Sequence, residues 1–315
     1  MPQPMANDGA GASSEVAGDC EAEQQQQQQQ PVVLITGCAK GGIGYEYCLA
    51  FSALGCRVVA TDIPDRVPDL ADLAAAADTL PLDVTSESSV ESAVRRVLAD
   101  HGRIDVLVNN AGVGCTGPLA ELRLESVRRA MDVNFLGQVR MVRAVAPHMA
   151  RRGSGRVVNV GSVVGRAATP WAAPYCASKA AVHAATDALR LELRPFGVHV
   201  VAVVPGAVRS GLGRANAAGL AAAGRGEWRL YRGFAAAIEE RARASQAGRA
   251  TEAGALARHV ARRVMSARPP REIVYGHMTL LFAALAASPG WVRDAFFARR
   301  FGLHNKTTVP PPSLD

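Results

Sequence analysis

The sequence predicts an α/β fold, with one doubly wound parallel sheet of about seven strands and helices on both faces. Three observations carry that expectation. Short, β-branched apolar runs alternate with longer stretches of helical spacing; a glycine-rich turn follows the first run directly; and a carboxylate closes the second. A run apolar at every position is a strand buried on both faces. Strands separated by helices pair in parallel, because a parallel neighbour needs a crossover.

Each element follows in order. Residues 32–35 (Val-Val-Leu-Ile) form the first strand, and residues 36–44 form the turn, which contains Gly37, Cys38, Lys40, Gly42, Ile43 and Gly44. Residues 45–54 suit a helix, with Gly55 as its C-cap. Residues 57–61 make the second strand, which ends at Asp62. Residues 79–82 are a brief third strand before Asp83, Val84 and Thr85. Residues 87–100 bring Val90, Val94, Val97 and Leu98 onto one helical face. The fourth strand, 104–108, opens into Asn109-Asn110-Ala111-Gly112. Residues 124–151 are a long helical segment with Asn134 inside it, 156–160 the fifth strand and 175–193 a further helix. Residues 198–204 form the sixth strand, ending at Pro205-Gly206, and 271–275 the seventh.

Composition sets the rest of the chain apart. Residues 1–30 end in seven consecutive glutamines and carry little apolar surface, so they read as a disordered tail. With Glu15, Asp19, Glu21 and Glu23 and no basic residue, the tail lacks the features of a secretory or transit signal, and the expected compartment is the cytoplasm. The cysteines (Cys20, Cys38, Cys48, Cys56, Cys115 and Cys176) show no metal-ligand spacing and read as free thiols in a reducing compartment. No metal site is expected. The net charge of +7 comes mostly from scattered arginines without interleaved aromatics, so no nucleic-acid partner is expected.

A strand, a glycine turn and a helix make an anion site, because the turn lets the backbone approach a diphosphate and the helix N-terminus offers free N–H donors. Residues 31–278 therefore read as a dinucleotide-binding catalytic domain, with residues 206–254 capping its substrate pocket. Asp62 lies where a carboxylate hydrogen-bonds the adenosine ribose and repels a 2′-phosphate, which favours NAD. Lys40 inside the turn and Arg66 beyond the second strand could instead meet a 2′-phosphate, which favours NADP. Asp83 is a candidate for the adenine amino group or simply an acid at a helix N-terminus.

Tyr175 and Lys179 are four apart on one helical face. An ammonium one turn from a phenol favours the phenolate, so the pair suits proton transfer to or from a carbonyl or alcohol oxygen. Ser162, just after the fifth strand, could hold the substrate oxygen, and Asn134 could anchor a water linking Lys179 to solvent. Such a Tyr–Lys pair is common on surface helices; its place at the strands' carboxyl edge, where ligands bind in such sheets, sets it apart.

Together these residues resemble the short-chain dehydrogenase/reductase superfamily across roughly residues 32–275. The resemblance implies a Rossmann-type sheet and a cofactor site extending to Val84, Asn110, Ala111, Gly112, Pro205, Gly206 and Val208, with Tyr175 and Lys179 also touching the cofactor and Ser210 at the nicotinamide carboxamide. It implies a homo-oligomer formed through the helix bearing Tyr175. The four residues between Thr36-Gly37 and Gly42-Ile43-Gly44, and the ending Tyr275-Gly276-His277, are most similar to the 1-acyldihydroxyacetone-phosphate reductase branch. That branch reduces a lipid-linked ketone with NADPH at membranes or lipid droplets. Its members carry a small residue and then arginine where this chain has Asp62-Ile63.

Residues 279–315 form an apolar and basic extension. Its apolar stretch, 278–287, is shorter than the ~20 residues a spanning helix needs. Trp291, Phe296, Phe297 and Phe301 among Arg293, Arg299 and Arg300 suit peripheral attachment to the endoplasmic reticulum or a lipid droplet, an acyl-chain tunnel, a cover over the substrate lobe, or a subunit contact. The expected activity is NAD(P)-dependent hydride transfer on a lipid-like ketone or alcohol. A steroid- or retinoid-like substrate is the alternative, and a non-catalytic cofactor-binding scaffold is the competing class. Arg214, Arg225 and Arg229 could meet a phosphate or face water.

Overall fold

The computed structural model describes residues 30–223, 228–246 and 248–304. The expected glutamine-rich tail, apart from Gln30, Arg225 and the end of the extension lie outside the described residues.

Strand β1 (Val32–Thr36) leads through the glycine turn into helix α1 (Ile43–Ser52), then β2 (Arg57–Asp62). Residues Pro64–Leu73 coil as 3-10 turns around Pro64 and Pro68, and β3 (Asp78–Pro81) follows. Helix α2 (Glu87–His101) precedes β4 (Val106–Asn109). Helices α3 (Leu124–Met131) and α4 (Gly137–Arg152) flank a π-turn, Asp132–Leu136. Next come β5 (Gly155–Val160), α5 (Ala173–Leu193) and β6 (Val198–Pro205). Short strand β7 (Val208–Arg209), helices α6 (Gly211–Ala223) and α7 (Ala235–Arg243), and β8 (Thr251–Glu252) form the lobe over the sheet. Helix α8 (Ala253–Val264), β9 (Glu272–Tyr275), α9 (Thr279–Ala287) and α10 (Gly290–Arg300) complete the described chain.

Seven strands form one sheet in the order β3-β2-β1-β4-β5-β6-β9, and every neighbouring pair is parallel. The order reverses between β1 and β4, which opens a crevice at the carboxyl ends of those strands. Alternate residues of β1 serve opposite faces. Val33 and Ile35 pack with Tyr47 and Phe51 of α1 and Leu256 and Val260 of α8. Val32 and Leu34 pack with Val94 and Val97 of α2 and Met141 and Val145 of α4. The sheet is therefore buried on both faces, as its continuous apolar runs require.

The long helix expected over residues 124–151 is interrupted by the π-turn at Asp132–Leu136. A wider turn of this kind re-aims side chains inside a helix, and here it carries Asn134 towards the site. A third cluster joins Val163, Val164 and Trp171 to Trp228 and Ile238 of the lobe and to Phe282, Leu285, Phe297 and Phe301 of the extension. The C-terminal segment thus covers the chain that follows β5. A cleft of about 640 Å³ between residues 165–170 and α10 is lined by Thr169, Pro170, Arg293 and Phe297, among others.

Candidate active site

The glycine turn is shaped by close approaches. Gly37 adopts φ 72°, and a Cβ there would lie 2.7 Å from Ala111 Cα. At Gly44 it would come within 2.6 Å of Asn110 Nδ2. The segment after β4 fills that space. Asn110 Nδ2 donates to the Thr36 and Gly37 carbonyls, both at 2.9 Å, while Thr36 Oγ1 accepts the Asn110 and Ala111 N–H groups, both at 3.1 Å. Gly42 caps α1 without any side-chain hydrogen bond. The first N–H groups of that helix are therefore free for an anion.

Asp62 closes the turn from β2: Oδ2 accepts the Ala39 N–H at 2.7 Å, and Oδ1 accepts the Ile63 N–H at 2.9 Å. The two cations that sequence set against it are engaged elsewhere. Lys40 pairs with Asp72, and Arg66 with Asp69 at 2.6 Å, all on the surface. Asp83 accepts the Thr85 N–H and hydroxyl at 2.9 and 2.8 Å. It does not cap α2; Ser86 does. Val84 is buried against Gly137. Beyond β6, the Gly206 N–H donates to the Tyr275 carbonyl at 3.0 Å, Val208 pairs with Thr251, and Ser210 is buried.

The polar groups expected to carry the chemistry gather at the carboxyl end of β5. Ser162 follows that strand directly and is buried; its N–H donates to His183 Nε2 at 3.3 Å, and its hydroxyl accepts the Val164 N–H at 3.4 Å. Lys179, 3 % exposed, donates from Nζ to the Val160 carbonyl at 2.8 Å and lies 5.8 Å from the centroid of the Tyr175 ring. Burial pushes the Tyr175 phenol up to about 12, while the Arg241 guanidinium and the Ser162 hydroxyl pull it down. Burial brings the Lys179 ammonium down to about 8.

Asn134 is fixed by its own side chain. Its Oδ1 accepts the Val113 N–H at 2.7 Å, and its Nδ2 donates to the Val113 carbonyl and to Ser178 Oγ, both at 3.0 Å. Both amide hydrogens are spent. The side chain thereby fixes Val113, next to Gly112 and beside the ammonium. A Cβ on Gly112 would lie 3.3 Å from Asn134 Oδ1 and 3.8 Å from Lys179 Nζ.

Three further residues belong to the site. His183 continues the stripe begun by Tyr175 and Lys179 at four-residue spacing, a pattern visible in the sequence. Burial lowers its imidazole to about 4, so it is neutral and accepts from Ser162. Trp171 adopts φ 66° and packs edge-on against Tyr231, ring centroids 5.4 Å apart. Arg241 of α7 donates from Nε to Thr169 Oγ1 at 2.8 Å and forms no ion pair among the described residues. Trp171 stands four residues before Tyr175 but outside its helix, and no local pattern marks Arg241.

A family model for short chain dehydrogenases matches residues 31–221. Among curated relatives, an NADPH-dependent 1-acyldihydroxyacetone phosphate reductase of Schizosaccharomyces pombe is 42% identical over 180 residues, covering 56% of this chain and 60% of that one. The 17-beta-hydroxysteroid dehydrogenase type 1 of Homo sapiens is 41% identical over 190 residues, covering 57% of each. These matches span less than two thirds of either relative. A short-chain dehydrogenase from Streptomyces avermitilis superposes with a TM-score of 0.70 at 28% identity, over 86% of this chain and 95% of its own. The closed form of a serine dehydrogenase complexed with NADP+ superposes with a TM-score of 0.67 at 26% identity, over 79% and 95%.

Proposed function

This chain belongs to the short-chain dehydrogenase family, and from that premise we propose that it interconverts a ketone and a secondary alcohol using a nicotinamide dinucleotide. The observation that carries the reading is the gathering of Ser162, Tyr175 and Lys179 at the end of β5, on the same carboxyl edge of the sheet as the glycine turn after β1. The turn suits a dinucleotide: it follows β1 at the carboxyl edge of the sheet, and the N-terminus of α1 has no side-chain cap. The bound nicotinamide would supply or accept the hydride.

The residues of the chain handle the proton. In the reduction, the neutral Tyr175 phenol donates to the carbonyl oxygen as negative charge builds there. Ser162 hydrogen-bonds the same oxygen, and the Lys179 ammonium stabilises the phenolate left behind. The fixed carboxylate of Asp62 supports NADH as the preferred reductant.

For the substrate, we favour an anionic, lipid-like ketone. Arg241 lies close enough to Tyr175 to lower its pKa and has no carboxylate partner among the described residues, so it could receive a phosphate or carboxylate. The fission yeast relative acts on such a ketone by its name. A steroid-like substrate is the second reading, favoured by the aromatic group Trp171, Tyr231 and Phe234 and by the human relative. Leu280 and Trp291, 86% and 73% exposed, support contact of the C-terminal helices with a lipid surface. No helix among the described residues is long and apolar enough to cross a membrane.

Turnover of acyl-dihydroxyacetone phosphates, neutral long-chain ketones and ketosteroids with NADH and with NADPH tests the proposal. Consumption of reduced cofactor with the phosphorylated ketones is expected to exceed that with the neutral ones. No turnover of any ketone, with dinucleotide still bound, would leave a scaffold and end the enzymatic reading.

A further inference from the structure

Helix α6 begins against the glycine turn rather than away from it. The Gly211 N–H donates to the Gly41 carbonyl at 2.7 Å. One turn later, Arg214 folds back over the same glycine: a Cβ on Gly41 would overlap its Nη2 and stand 3.7 Å from its Cζ. The same Nη2 is 3.7 Å from where a Cβ on Gly211 would be. Nothing but hydrogen at position 41 lets the guanidinium come this close.

The first turn of α6 is held on its other side as well. A Cβ on Gly213 would collide with Ser245 and Gln246, and Gln246 Nε2 donates to the Ser210 carbonyl at 3.2 Å. The base of the Arg214 side chain is therefore pinned between the turn and residues 244–246.

Lys40 pairs with Asp72 and Arg209 with Glu252, but Arg214 makes no ion pair among the described residues. A lone exposed arginine is ordinary; one laid over a glycine turn whose helix N-terminus also lacks a side-chain cap is not. A guanidinium and free helix N–H groups facing one cleft make a geometry suited to bidentate phosphate binding.

We propose that Arg214 is a cofactor-binding residue, contributed by the lobe, that grips the 5′-diphosphate of the dinucleotide from the side opposite α1. This assignment rests on the dinucleotide reading above. It makes cofactor binding and the seating of α6 one event, because the residue that holds the diphosphate also begins the helix over the pocket.

The test uses the full chain and calorimetric titration of NADH, NADPH, ADP-ribose and adenosine, the weak ligands by competition, on the parent, Arg214→Gln and Arg214→Lys. Arg214→Gln should weaken ADP-ribose and both dinucleotides by roughly ten- to a hundredfold, the range for a hydrogen bond to a charged group. Adenosine should bind as before, and Arg214→Lys should fall between. Binding in Arg214→Gln should also lose part of its salt dependence. Equal ADP-ribose affinity in parent and Arg214→Gln would overturn the assignment. So would a loss confined to NADPH, which would mean the guanidinium reads the 2′-phosphate, or an equal loss for adenosine, which would mean a merely structural role. Failure of the parent to bind any dinucleotide would instead sink the dinucleotide reading, and this assignment with it.

Discussion

Lys179 holds its ammonium against the Val160 carbonyl at 2.8 Å, at the very end of the strand that delivers Ser162. That hydrogen bond stands against nearly complete burial, which lowers the ammonium from 10.5 to about 8. A displacement of that size corresponds to about 3 kcal/mol of folding stability lost. The deficit is complete below pH 8 and shrinks as pH rises towards 10.5, where the unfolded chain also sheds the proton. Lys179→Met should therefore abolish activity yet raise stability at pH 7 by about 2 kcal/mol, after about 1 kcal/mol for the unpaired carbonyl. Urea midpoints at pH 7 and pH 10 check this: the advantage should vanish at the higher pH. A parent more stable than the variant at pH 7, by a margin independent of pH, would remove the argument.

His183 should make the protein acid-sensitive. Its imidazole accepts the Ser162 N–H and is lowered to about 4 by burial, with Arg166 and Lys179 adding repulsion. The folded pKa lies below the unfolded one, so stability is full above pH 6.5 and falls as pH drops towards 4. The slope can reach about 1.4 kcal/mol per pH unit. In His183→Gln the amide oxygen can still accept the N–H, but nothing titrates. The variant's midpoint should be flat between pH 6.5 and 4.5 relative to the parent's, and equal acid sensitivity in the two would refute the assignment.

Tyr175→Phe removes only the proton donor. With the phenol pushed up to about 12, Tyr175 is neutral at pH 7, as its proposed role of acid in a reduction requires. The expected loss in kcat/KM for ketone reduction is ~10²-fold or more, with NADH affinity retained in a fluorescence titration. Turnover equal to the parent's would place the acid elsewhere.

What could be read in advance depended on how far each signal reaches along the chain. The strands of the sheet were legible because both faces are buried, so every residue from Val32 to Ile35 is apolar. Their ends were not: β1 runs on to Thr36 and β2 to Asp62, since backbone pairing continues where apolarity stops. Tyr175 and Lys179 stand on one helix and could be paired by counting, and His183 obeys the same count. The π-turn around Asn134 has no compositional mark, and the partners of that side chain, Val113 and Ser178, lie 21 and 44 residues away. Arg241 reaches the site through the tertiary packing of the lobe, and Trp171 meets Tyr231 of the segment before α7; no local spacing encodes either contact.

The proposed preference for NADH rests on Asp62. Its two carboxylate oxygens accept the amides of Ala39 and Ile63, at 2.7 and 2.9 Å. Held from both sides, the carboxylate is not free to swing out of the way of a phosphate on the adenosine ribose. Lys40, which could compensate, spends its charge on Asp72. Two like charges about 4 Å apart repel by ~1 kcal/mol in water and by ~4 kcal/mol near a protein surface. NADH should therefore surpass NADPH in kcat/KM by about tenfold or more. Asp62→Ser keeps an oxygen that can accept the Ala39 N–H but removes the charge, so it should narrow or invert the ratio, chiefly by lowering KM for NADPH. Steady-state kinetics with both cofactors on parent and variant decide the matter. A parent that prefers NADPH, or a ratio unmoved in Asp62→Ser, would show that the carboxylate serves only to close the turn.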